Sequence, residues 1–69
     1  MYLVKVFNLF DIQIQAGSAK GALKQALKQE GFKAKIAKET DKVTGRATVV
    51  DLVSGLETDF ALTGIVWEN

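Results

Sequence analysis

The sequence predicts an α+β domain. A single α-helix packs on one face of a mostly antiparallel sheet of four strands, or five if the first one is split, in the order β-α-β-β-β. Three observations carry this expectation. Residues 17–31 show helical spacing of small apolar residues between clear capping residues. The segments on either side alternate apolar and polar with a period of two. The chain has 69 residues and no cysteine, so residues 1–69 form one small domain with a small core and no disulfide to support it.

The first strand segment is the longest. Its even positions are Tyr2, Val4, Val6, Asn8, Phe10, Ile12 and Ile14, of which only Asn8 is polar. Its odd positions are Leu3, Lys5, Phe7, Leu9, Asp11, Gln13 and Gln15. The even row faces inward. As one straight strand, residues 2–15 would span ~46 Å, whereas a compact domain of this length is only ~28 Å across. The strand therefore bends or bulges near Asn8, folds into a hairpin around Asn8-Leu9-Phe10, or projects one end to pair with another chain. The bend is the leading expectation, because Phe10 suits the third position of a three-residue loop poorly. In the hairpin alternative, an odd loop sets Val6 opposite Ile12 and Val4 opposite Ile14 and keeps the apolar face whole.

The helix comes next. Ser18 is a good N-cap, and Gly31 stands where a left-handed residue ends a helix. Ala19, Ala22, Leu23, Ala26 and Leu27 form one apolar stripe, and its alanines let the axis lie close to the sheet. Gly21 falls on the solvent side and weakens the helix by about 1 kcal/mol relative to alanine.

Residues 32–39 read as the second strand, with Phe32, Ala34 and Ile36 on one side and Lys33, Lys35 and Glu39 on the other. A polar turn over residues 40–45 makes the next strand antiparallel. That strand covers residues 46–53, where Val50 and Leu52 alternate with Val49, Asp51 and Val53. Ser54-Gly55 forms a turn. The last strand covers residues 58–67, with Phe60, Leu62 and Val66 on one side and Ala61, Ile65 and Trp67 on the other. Gly64 marks a bulge or a close backbone approach.

Composition argues against catalysis. Histidine and cysteine are both missing, which removes the commonest acid–base and nucleophilic groups at neutral pH. Ser18 and Ser54 sit where a cap and a turn want serine. Asp51 and Asp59, on neighbouring strands, read as solvated charges rather than a catalytic pair. The glycine, serine and lysine around residue 18 read as capping rather than as a phosphate loop. No catalytic residue, cofactor, metal ligand or small-molecule substrate is expected. The absence of a signal peptide, a long apolar segment and cysteine leads us to expect a cytoplasmic protein without membrane contact.

Net charge is +1, but it is divided unevenly: residues 1–38 carry +5 and residues 39–69 carry −4. Two surfaces stand out for binding. Lys20, Lys24 and Lys28 line up along one helix face with no carboxylate at the intervening positions. Such a row suits a phosphate backbone, although it holds no arginine and no interleaved aromatic residue. On the strands, Leu3, Phe7 and Leu9 point away from the helix, and Val49, Val53, Ile65 and Trp67 share that second face. One helix cannot cover both faces, and exposed apolar patches mark interaction sites. The leading expectation is a non-enzymatic module acting by protein–protein contact, with a protein partner or with itself as a homodimer, through Leu3, Phe7, Leu9 and Trp67. The alternative is nucleic-acid binding through Lys20, Lys24 and Lys28.

Overall fold

The computed structural model describes residues 1–6, 9–37 and 46–67, and the side chains of these except Ala37, Arg46, Thr63, Ile65 and Trp67. Among the described residues, five strands and one helix follow in the order β1 (Tyr2–Val6), β2 (Phe10–Ile14), α1 (Ala19–Gln29), β3 (Phe32–Ala37), β4 (Arg46–Asp51) and β5 (Glu57–Trp67). All neighbouring strands are antiparallel, in the spatial order β2-β1-β4-β5-β3. The sheet curls, and the single helix packs against it. The α+β class and the one-helix packing are therefore as expected.

The first segment is a hairpin, not a bent strand. Val6 pairs with Phe10, Val4 with Ile12 and Tyr2 with Ile14, and the Leu9 N–H donates to the Val6 carbonyl at 3.0 Å. The molecule measures 30 × 27 × 19 Å, too little for a straight strand over residues 2–15. The connection is residues 7–9, one step earlier than the Asn8-Leu9-Phe10 loop. That shift keeps the even row on one face and puts Phe10 in the strand, where its ring packs on the core. Phe7 and Asn8 themselves lie outside the described residues.

Helix α1 ends where its capping residues place it. The Ser18 Oγ accepts from the Gly21 N–H at 3.1 Å, and Gly31 adopts φ +86° just past the last turn. Ala22, Leu23, Ala26 and Leu27 are buried against Val4, Val6, Ile14, Ala47, Val49, Phe60 and Leu62. Tyr2, Phe10, Ile12, Phe32, Ala34 and Ile36 pack around this core and remain half-buried.

Two expectations about strand faces are corrected. Val49 belongs to the core, only 1% exposed, because β4 pairs with β1 so that Val49 stands beside Val4. Two adjacent valines make the parity of β4 ambiguous in sequence, and the pairing decides it. In β5 the step from Lys33–Val66 to Lys35–Thr63 contains one extra residue, so a bulge falls at Gly64, which has φ +63°. A bulge reverses the alternation beyond it. Val66 thus leaves the row of Phe60 and Leu62 and is 55% exposed. The polar turn over residues 40–45 lies outside the described residues.

Candidate functional site: a lysine-walled groove

The helix and the edge strand β3 are joined by only Glu30 and Gly31, so the two run side by side. Between them lies a groove of about 420 Å³. Leu27, Phe32, Ala34 and Ile36 supply its apolar surface, and Lys20, Lys24, Lys28 and Lys33 supply its charge. This size is within the usual range of ligand clefts. The helical repeat places the three helix lysines one turn apart. Strand alternation separates Lys33 from Phe32 and Ala34. None of the four lysines has an ion-pair partner among the described residues.

Among the described residues no carboxylate lines this groove. Strands β4 and β5 occupy the middle of the sheet. On its outer face Lys5 stands between Asp11 and Thr48, and Thr48 donates its hydroxyl to the Asp59 carboxylate at 2.8 Å. Asp51 closes the β4–β5 turn, accepting from the N–H groups of Val53 at 2.9 Å and Ser54 at 3.4 Å. Asp51 and Asp59 therefore hold separate partners and do not form a carboxylate pair. Ser54 Oγ accepts from the Leu56 N–H within the same turn, and Ser18 is occupied as the helix cap.

The four residues expected to form an apolar contact face are not brought together as one described surface. Leu3 is half-buried on the outer face beside Val50, which is opposite Glu57. Trp67 pairs with Phe32 at the far end of β5, ten residues beyond Glu57, and its side chain lies outside the described residues. Leu9, 42% exposed, sits at the opposite end of β1 from Leu3's neighbour Tyr2. Phe7 lies outside the described residues. Between Leu3 and Leu9 runs the polar row of Lys5, Thr48 and Asp59. Exposed Leu52, Val53 and Leu56 instead gather on the β4–β5 turn.

The lysine stripe, by contrast, gains an apolar companion surface that sequence reading missed. Lys33, Phe32, Ala34 and Ile36 join Lys20, Lys24 and Lys28. The available clue was the very short link between a lysine-faced helix and an alternating Phe-Lys-Ala-Lys-Ile strand. Among the described residues no group of acidic side chains could hold a metal ion, and no helix is long and apolar enough to cross a membrane. Comparison with protein-family models, curated proteins and solved structures finds no significant match.

Proposed function

We propose that this chain is a non-enzymatic binding module that holds an acidic, apolar-bearing segment of a partner protein in the groove between α1 and β3. The single observation behind this reading is the pairing of four lysines, without ion-pair partners among the described residues, with a floor of Leu27, Phe32, Ala34 and Ile36. Lysine charge draws an acidic chain, and the floor gives apolar side chains a place to leave water. A purely polar partner would leave that floor wet. Nucleic acid is the competing occupant of the same lysines. Among the described side chains one aromatic residue, Phe32, lies beside them, and its ring is stacked on Phe10. Among the described side chains the rest of the floor is aliphatic and no arginine lines the groove, a lining poorly made for stacking bases or reading their edges.

The test is a competition across a salt series between a labelled ten-residue peptide of alternating Glu and Val and a fifteen-residue oligo-dT. The peptide is expected to bind more tightly. Lys20→Glu, Lys24→Glu, Lys28→Glu together, in a variant whose circular dichroism is unchanged, should abolish its binding. Tighter oligo-dT binding, or peptide binding untouched by the triple variant, overturns the proposal.

A further inference from the structure

We infer that the occupant of the groove is an extended strand, added to the open edge of β3 as a sixth member of the sheet, with alternating acidic and apolar residues. This rests on the reading of the groove as a protein-binding site and adds how the partner is held.

Strand β3 ends the sheet, with β5 on one side and no strand on the other among the described residues. An edge strand carries a row of backbone donors and acceptors that a further strand can satisfy. The inner row of the sheet is also unfinished here. Val4, Val6, Val49, Phe60 and Leu62 are sealed under the helix and Phe32 is stacked on Phe10, whereas Ala34 and Ile36, further along β3, are only half-buried. A neighbouring strand with apolar residues at every second position would cover them.

The other side of β3 sets the second half of the pattern. Lys33 and Lys35 are exposed and two residues apart. Side chains directly opposite each other across a strand pair interact, so these lysines favour carboxylates at matching positions. Lysines on an edge are also a common guard against pairing of like edges. A second copy of β3 would set lysine against lysine. The same guard therefore admits an acidic strand and repels a copy of itself. Lys20, Lys24 and Lys28 border the groove from the helix and strengthen the choice of sign. The opposite edge, β2, offers Asp11 and Gln13 at its exposed positions, and Asp11 is paired across the strands with Lys5.

The test uses the alternating Glu/Val peptide and two N-methylated forms, one methylated at every Glu and the other at every Val. In an added strand, alternate N–H groups point to β3 and the rest to solvent. One methylated form should bind about tenfold or more weakly, through the loss of several backbone hydrogen bonds, and the other should stay within about threefold of the parent. If the parent binds and the two forms are equal to each other, whether both unchanged or both weakened, the groove is occupied but not by an added strand. If the parent peptide does not bind at all, the groove reading itself fails and this inference falls with it.

Discussion

The rings of Phe10 and Phe32 stack with centroids 6.0 Å apart and planes inclined by 24°, although they belong to β2 and β3, the two opposite edges of the sheet. Four inter-strand spacings separate those edges in a flat sheet, a distance of ~19 Å at ~4.8 Å each. The contact therefore requires the curl, and it ties the two edges together beside the helix. It also fixes the floor of the lysine groove, since Phe32 belongs to both.

Coupling between these two rings is the first prediction. Phe10→Ala and Phe32→Ala should each lower stability by roughly 1–3 kcal/mol, less than for a fully buried phenylalanine because both are half-buried. The double variant should lose less than the sum, by about 0.5–1.5 kcal/mol. Urea denaturation of the four proteins measures this. Strict additivity would mean that the rings do not hold the curl.

Leu23 is fully buried at the centre of the helix–sheet contact. Leu23→Ala should cost about 2–5 kcal/mol, a large share of what a domain of this size possesses. Gln25→Ala, on the exposed face, should stay within about 0.5 kcal/mol of wild type. Thermal melts of both variants would reveal the contrast, and similar melting points would place the helix in the wrong rotation.

At Gly64 the backbone alone sets the requirement. A Cβ there would meet no atom within 4 Å, yet the residue has φ +63°. Gly64→Ala should therefore cost about 1–2 kcal/mol through conformation rather than collision. Gly64→Asn should cost less, because asparagine visits this region more readily. An alanine variant as stable as wild type in urea would argue that β5 carries no bulge.

Asp51 supplies a pH dependence. The Val53 N–H is the largest influence holding its carboxyl below the ordinary aspartate value; desolvation opposes it, and the Ser54 N–H and the Met1 ammonium assist. A carboxyl depressed in the folded state stabilises the fold above its unfolded pKa, and that contribution is lost as pH falls through the lower folded value. Asp51→Ala should therefore be less stable than wild type at neutral pH. The gap between the two should narrow on acidification below the usual aspartate range. A gap that is constant or widens toward acid would remove the turn's charge-assisted hydrogen bonds from the account.

Local chemistry made the helix readable from sequence. Ser18 caps it, Gly31 ends it, and the Ala–Leu stripe marks its buried face, all within fifteen residues. The strand faces were less readable, because their outcome depends on distant partners. Phe10 is set in β2 by its pairing with Val6, and its ring then meets Phe32 from far along the chain. Val49 and Val50 are interchangeable until β1 chooses between them. The row that Val66 joins depends on whether Gly64 bulges. The site divides in the same way. The spacing of Lys20, Lys24 and Lys28 was visible, while the apolar floor was not, since nothing local marks β3 as the edge of the sheet.

The most direct test of the central claim is a two-dimensional amide NMR titration of the labelled chain with the alternating Glu/Val peptide. The account predicts saturable shifts concentrated at Lys20, Lys24, Lys28 and residues 32–36. Shifts centred on Leu3, Leu9 or the turn from Leu52 to Leu56, or none anywhere, would contradict it.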